Sequence, residues 1–184
     1  MKIADCHSLL TSLLTGGSLS SSPGRKLGLY KPTMKILFVC HANIARSLIA
    51  ERILRGKLKA RKREDVVVSS AGLYDMKTSE ADPVALSMLL KNGFDASAHR
   101  SRLLTEDMLN EADKVIVMEE AQRRKVVEQF PGQEEKICLL RPFSPSFDPK
   151  SAPDIRDCHN RSAYHYRLWF AEIYEAIEGL IECI

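Results

Sequence analysis

From residue 34 onward, short apolar runs alternate with amphipathic segments of helical period. Strands are predicted near residues 35–40, 66–70, 114–118 and 136–140, and helices near 46–62, 82–92, 105–112, 120–129 and 163–182. Strands that alternate with helices form parallel sheets, because the crossover between two parallel strands is usually helical. The alternation therefore predicts an α/β fold of three layers, with a central four-stranded parallel sheet and helices on both faces.

The turn after the first predicted strand carries the strongest chemical signal. It reads Lys35-Ile-Leu-Phe-Val-Cys40-His-Ala-Asn-Ile-Ala-Arg46-Ser47. Unpaired N–H groups and the helix dipole favour an anion at such a helix start, and the same field favours a thiolate at Cys40. Arg46 can present a planar fork to two phosphate oxygens. We predict a phosphate-binding loop with its own nucleophile; the alternative is a buried structural cysteine beside a surface arginine.

Four segments, in order along the chain, carry a resemblance to a known family. The run Val39-Cys40-His-Ala-Asn43-Ile-Ala-Arg46-Ser47-Leu-Ile-Ala50-Glu51 resembles the signature V-C-x-G-N-x-C-R-S-P-x-A-E of the low-molecular-weight protein tyrosine phosphatases. Residues 69–72 resemble its S-A-G segment, residues 99–102 its H-x-x-R stretch, and residues 113–119 its D-x-I-x-x-M-D strand. The resemblance covers about residues 34–183, so we expect a phosphatase domain at 34–184.

The resemblance implies a metal-free mechanism without a cofactor, in which Cys40 attacks phosphorus and forms a cysteinyl-phosphate. Arg46 and the loop N–H groups would hold the phosphoryl oxygens; the implied phosphate-binding residues are His41, Ala42, Asn43, Ile44, Ala45 and Arg46. Tyrosine-phosphorylated proteins are the implied substrates, and a cognate tyrosine kinase is a candidate partner. Neither nucleic acid nor a membrane is expected as a partner.

An acid must protonate the leaving oxygen, and three aspartates compete for this role. In the resembling proteins, aromatic residues of the last helix fall nine and thirteen positions after the acid. Asp157 places Tyr166 and Phe170 there, whereas Asp154 matches neither position, and Asp148 lies nine residues too early although a proline follows it. The order of preference is Asp157, then Asp154, then Asp148.

Ser47, Ser70 and His99 are expected to support the loop. Asn43 tolerates left-handed geometry and could bond to Ser70 and His99, which would hold the loop in shape. Ser47 could donate a hydrogen bond to the Cys40 thiolate, cap the following helix, or do both. His41 either lines the pocket entrance or is only solvated.

Some positions depart from the family pattern. Ala42 replaces a glycine, which would cost strain if the position needs a positive φ. Ala45 replaces a second loop cysteine, so protection of the nucleophile by a disulfide should be missing. Cys158 replaces the proline after the acid, and His159 and Asn160 replace the aromatic wall of the pocket, which should make the acid loop less rigid and the pocket more polar.

The substrate preference rests on Ile44. In the resembling family, a branched apolar residue after the loop asparagine goes with phosphotyrosine, whereas threonine goes with phosphoarginine. Two other functions remain as alternatives. An arsenate reductase of the same fold would need two further cysteines near residues 110–120, where the sequence has none. A catalytically weak phosphate-binding module would be consistent with Ala42 and Cys158.

Composition narrows the setting of the protein. The five cysteines include no C-x-x-C pair, which argues against a disulfide framework and a zinc site and favours a reducing cytoplasm. A net charge of +3 is too small to suggest nucleic acid binding. Residues 1–33 are rich in small polar residues and too poor in apolar ones for a membrane span, so we expect a disordered N-terminal extension.

Overall fold

The computed structural model describes residues 33–157, 159 and 161–184, so the expected extension lies outside the described residues except for its last position. The strands are β1 (Met34–Cys40), β2 (Val66–Gly72), β3 (Lys114–Val117) and β4 (Ile137–Leu139). The helices are α1 (Arg46–Ala60), α2 (Pro83–Lys91), α3 (Glu106–Glu111), α4 (Glu120–Gln129) and α5 (Ala163–Ile181). All three strand pairs are parallel, in the order β2-β1-β3-β4.

The predicted four-stranded parallel sheet with helices on both faces is confirmed. Alternate residues of β1 enter two separate cores, because successive side chains of a strand point to opposite faces. Ile36 and Phe38 pack with α1, α2 and α5, while Leu37 and Val39 pack with α3 and α4. Burial on both faces explains why β1 is a continuous apolar run rather than an alternating one.

The predicted helix limits around α2 also match the structure. The Asp82 side chain accepts hydrogen bonds from the N–H groups of Val84 (3.0 Å) and Ala85 (2.9 Å), and Pro83 occupies the first helical turn. Gly93 follows the helix with φ +81°, a conformation that glycine adopts without strain. Two short 3-10 helices, at residues 134–136 and 141–143, were not predicted because single turns have no periodic pattern.

The longest helix of the described residues, α5, has 19 residues and directs its apolar side toward the core. Its buried side chains include Tyr166, Phe170, Ile173, Ile177 and Leu180. Nowhere in the described ranges is a helix both long enough and apolar enough to cross a membrane.

The strand order brings three chain segments to one edge of the sheet. Cys40, the last residue of β1, pairs with Gly72, the last residue of β2, and Val39 pairs with Val117 at the end of β3. The segments that leave these strands are therefore neighbours. In parallel sheets, ligands bind at this carboxyl edge.

Candidate active site

The loop of residues 41–45 joins β1 to α1, and the surrounding segments hold its carbonyl groups. These hydrogen bonds run from Leu73 N to Cys40 O (2.9 Å), Tyr74 N to His41 O (3.0 Å), His99 Nε2 to Asn43 O (2.6 Å) and Asp82 N to Ile44 O (2.9 Å). In a trans peptide, the next N–H points away from the carbonyl. The N–H groups of residues 41, 42, 44 and 45 therefore point away from these partners, as donors to an anion inside the loop would.

Asn43 determines the shape of this loop. It is fully buried, and its φ of +56° lies in the left-handed region, which asparagine tolerates better than most residues. Its Nδ2 donates to Ser47 Oγ (2.9 Å) and to Ser70 Oγ (2.8 Å), while its Oδ1 accepts from Arg102 N (3.1 Å). The structure thus joins Asn43 to Ser70 through its side chain and to His99 through its carbonyl.

The expected strain at Ala42 does not arise, since the left-handed residue of the loop is Asn43. The close approach that does need a glycine occurs on the neighbouring strand. A Cβ atom on Gly72 would lie 2.8 Å from the Ala42 carbonyl carbon and 3.0 Å from the Asn43 nitrogen. The loop therefore rests directly on the end of β2, and Ala42 gives no reason to expect a weakened site.

Ser47 contacts the Cys40 sulfur rather than capping α1. The Ser47 Oγ atom lies 3.0 Å from Cys40 Sγ, whereas the N-cap position is Ala45, which makes no side-chain cap. Because Ser47 Oγ accepts a hydrogen bond from Asn43, its own proton can turn to the sulfur; the alternative acceptor, Ala71 O, is farther away at 3.4 Å. A hydroxyl donor at this place stabilises a thiolate.

A second layer supports the loop from behind. Ser70 Oγ donates to Glu51 Oε2 (2.5 Å), and Arg102 Nε donates to Ser70 O (2.6 Å). Burial lowers the pKa of His99, so its imidazole is kept neutral with Nε2–H donated to the Asn43 carbonyl. His99 therefore braces the loop as a neutral hydrogen-bond donor.

The Arg46 guanidinium is held by three groups outside the loop. Its side chain is only 4% exposed; Nη1 pairs with Glu119 and donates to Ile155 O (3.1 Å), and Nη2 pairs with Asp157 Oδ2 (2.8 Å). Gln122 Nε2 in turn donates to Glu119 Oε1 (3.1 Å). Two carboxylates from distant parts of the chain thus orient the guanidinium beside the loop.

The three candidate acids occupy different places. Asp157, about half exposed, is the one bound to Arg46. Asp154 instead accepts a hydrogen bond from Glu120 N (2.8 Å) at the start of α4, and Asp148 accepts one from Lys150 N (2.9 Å) in a local turn. We call the segment that carries Ile155, Asp157 and His159 the acid loop. Cys158 and Asn160 lie outside the described residues.

Three side chains are grouped beside the loop of residues 41–45. His41 is exposed, and its ring stacks on Tyr74 with 4.1 Å between centroids. Lys125 Nζ lies 3.9 Å from the centroid of the Tyr74 ring and 2.6 Å from its hydroxyl oxygen. His41 is therefore packed on Tyr74 and not only solvated, while its place at a pocket entrance stays a prediction. The sequence could have pointed to Tyr74, because this residue lies two positions after the S-A-G segment.

Two further residues of the site were missed. Glu119 closes the D-x-I-x-x-M-D resemblance, so that motif could have identified it as a partner of Arg46. Asp82 could be recognised only as a helix start, and nothing in the sequence showed that its N–H holds the loop carbonyl of Ile44. Within the ranges 33–157, 159 and 161–184, no three His, Cys, Asp or Glu side chains are grouped to hold a metal ion.

Comparisons with known proteins agree on one family. The family described as "Low molecular weight phosphotyrosine protein phosphatase" matches residues 35–184. A probable low molecular weight protein-tyrosine-phosphatase, EpsP of Ralstonia solanacearum, is 38% identical over 57% of this chain and 69% of its own. A protein-arginine-phosphatase of Geobacillus stearothermophilus is 32% identical over 80% and 94%. The crystal structure of a low molecular weight protein tyrosine phosphatase from T. tengcongensis aligns with TM-score 0.75 and 32% identity over 83% and 100%.

Proposed function

The chain belongs to the low-molecular-weight phosphotyrosine protein phosphatase family, and we propose the residue roles by which it hydrolyses phosphotyrosine in proteins. One observation carries this proposal. Arg46 joins the loop after Cys40 to Asp157, so a nucleophile, an oxyanion-binding fork and an acid meet at one edge of the sheet. These are the three groups that phosphate monoester hydrolysis through a covalent intermediate requires.

The reaction proceeds in two displacements at phosphorus. The Cys40 thiolate, stabilised by Ser47, attacks phosphorus as the bond to the phenolic oxygen breaks, and protonated Asp157 gives its proton to that oxygen. Arg46 and the loop N–H groups hold the non-bridging oxygens while charge develops on them. In the second step, Asp157 takes a proton from water, which attacks the cysteinyl-phosphate and releases inorganic phosphate and the thiolate.

The ion pair of Arg46 with Asp157 links substrate binding to the surroundings of the Asp157 carboxyl group. A phosphate monoester is a dianion, and it competes with the Asp157 carboxylate for Nη2 of Arg46. Asp157 then lies beside the phosphate ester instead of the guanidinium. Glu119 remains on Nη1 and keeps the guanidinium oriented.

Phosphotyrosine is the preferred substrate in this proposal because of Ile44, which lies half-buried in the loop. An apolar side chain there suits an aryl ester, whereas the polar phosphoramidate of phosphoarginine would gain nothing from it. The Geobacillus relative is named an arginine phosphatase, so both substrates must be tested.

We also propose the substrates, a partner and the cellular location of the enzyme. Tyrosine-phosphorylated proteins are its substrates, and a cognate tyrosine kinase is a fitting partner, because the two activities would act on the same residues. A cytoplasmic location suits a catalytic thiol, which must stay reduced.

The test compares the parent with Cys40→Ser, Asp157→Asn and Asp148→Asn. The parent should hydrolyse p-nitrophenyl phosphate at mildly acidic pH, be inhibited by vanadate and prefer a phosphotyrosine peptide to a phosphoarginine peptide. Cys40→Ser should lose at least about 10⁴-fold in kcat but still bind phosphate. Asp157→Asn should lose about 10²-fold or more, and Asp148→Asn should match the parent.

Turnover of Cys40→Ser comparable to that of the parent would sink the mechanism. A preference for the phosphoarginine peptide would overturn the role given to Ile44. Thiol-coupled reduction of arsenate would instead identify the activity of an arsenate reductase.

A further inference from the structure

We propose that His159 is a positioning residue: its imidazole fastens the acid loop to Asp82 and so holds Asp157 at the Cys40–Arg46 loop. The inference rests on the proposed role of Asp157 as the acid. His159 itself would not touch the substrate phosphate.

His159 and the Asp157 carboxylate are linked within the acid loop. The backbone N–H of His159 donates to Asp157 Oδ1 (3.0 Å), while Arg46 Nη2 holds Oδ2 of the same carboxylate (2.8 Å). When the substrate competes for Arg46, the bond from His159 is the one that remains among the described residues. The position of Asp157 then depends on where His159 is held.

The imidazole of His159 lies against a rigid anchor. Its Nδ1 atom is 3.4 Å from Asp82 Oδ2, and the Asp82 side chain is only 6% exposed. The other oxygen of Asp82 accepts the first N–H groups of α2, and its backbone N–H donates to Ile44 O in the phosphate-binding loop. One aspartate therefore connects the phosphate-binding loop, α2 and the acid loop.

Charge makes this contact dependent on protonation of His159. At 3.4 Å, the Nδ1–Oδ2 distance exceeds that of a normal hydrogen bond, so the attraction depends mainly on a positive imidazole beside a carboxylate. The Asp82 Oδ2 atom that faces His159 also accepts a hydrogen bond from the Tyr166 hydroxyl of α5 (3.3 Å), and the Asp157 carboxylate, which binds Arg46, accepts the backbone N–H of His159. The Tyr166 hydroxyl gives Oδ2 a hydrogen bond but no positive charge, which a protonated imidazole does supply.

The contact between His159 and Asp82 compensates for a departure from the family pattern at the residue after the acid. In the resembling proteins a proline follows the acid, whereas this sequence has Cys158 there and should have a less rigid loop. An ion pair to a buried aspartate is another way to restrict such a loop.

The experiment measures kcat/KM for two aryl phosphates that need the acid to different degrees. Phenyl phosphate has a poor leaving group, whereas p-nitrophenolate leaves readily without a proton. His159→Gln should lower kcat/KM about tenfold for phenyl phosphate and about twofold for p-nitrophenyl phosphate, with vanadate affinity unchanged. Asp82→Asn keeps an oxygen for the α2 cap and should give the same pattern. His165→Gln, which removes an imidazole bonded to Ser162, is the matched control and should match the parent.

Double variants separate positioning from a general structural effect. In the Asp157→Asn background, His159→Gln should cause no further loss, and combining it with Asp82→Asn should cost no more than either change alone. The inference is overturned if the ratio of the two kcat/KM values in His159→Gln equals that of the parent, or if the losses add. A parent enzyme that hydrolyses neither ester would refute the proposed function instead, so the two failures are distinguishable.

Discussion

Replacing Asn43 by alanine should damage both the stability of the protein and the geometry of its phosphate-binding loop. The side chain makes three hydrogen bonds, to Ser47, Ser70 and the N–H of Arg102, and none of them can be made by alanine. The backbone at this position is left-handed, with φ +56°. Alanine therefore loses contacts and adopts a disfavoured conformation.

The expected loss follows from these two effects. Each hydrogen bond contributes about 1 kcal/mol net, and a left-handed alanine costs about 1 kcal/mol or more. Together they predict that the free energy of unfolding falls by about 4 kcal/mol. Because Asn43 also aligns Ser47 with the Cys40 sulfur, kcat/KM for p-nitrophenyl phosphate should fall by about tenfold or more.

Two companion variants make the assay specific. Asn43→Gly loses the same hydrogen bonds but tolerates the positive φ, so it should be about 1 kcal/mol more stable than Asn43→Ala. Asn110→Ala removes an exposed asparagine whose side chain accepts one bond from Gln133, and it should change stability by less than about 0.5 kcal/mol. Urea unfolding measures the stabilities, and initial rates measure kcat/KM.

The predicted loss would be refuted if the free energy of unfolding of Asn43→Ala lay within about 1 kcal/mol of the value for the parent, which is the contribution of a single hydrogen bond. A glycine variant less stable than the alanine variant would show that the left-handed backbone is not the source of the second cost.

Three further variants test other parts of the site. Glu119→Gln removes a charge from buried Arg46 and should lower the free energy of unfolding by about 2 kcal/mol, with added phosphate stabilising this variant more than the parent in thermal unfolding. Burial lowers the pKa of His99, so the unfolded chain takes up a proton at a higher pH than the folded protein does. The contribution of His99 to the free energy of unfolding should therefore be complete above the usual pKa of 6.5 and be lost as the pH falls from there toward the lowered pKa. His99→Gln should reduce this pH dependence, which urea unfolding at several pH values measures. Asp154→Asn weakens the hydrogen bond at the start of α4, so the free energy of unfolding in urea should fall by about 1 kcal/mol. Its kcat/KM for phenyl phosphate should stay unchanged, in contrast to that of Asp157→Asn.

Features encoded within a short stretch of chain could be predicted from sequence. The α/β alternation, the start of α2 at Asp82 and Pro83, and the placement of Cys40 at a strand end were all recognisable. Hydrophobic periodicity and helix capping depend on residues a few positions apart, so a single sequence contains them.

The backbone conformation at Ala42 could not be predicted from neighbouring residues alone. An alanine with a positive φ is strained in any protein, but whether Ala42 adopts one depends on how the loop packs on Gly72 and bonds to His99 and Asp82. These contacts assign the left-handed conformation to Asn43.

By itself, the sequence determined the family, the sheet with its two layers of helices, and a loop containing Cys40 and Arg46. Only the tertiary structure decided what Arg46 binds. Glu119 and Asp157 are 73 and 111 residues away along the chain, and they reach the guanidinium because the order β2-β1-β3-β4 sets the end of β3 beside the loop after β1. No local pattern encodes such pairings, since they arise from strand order and from the packing of the acid loop over the sheet edge.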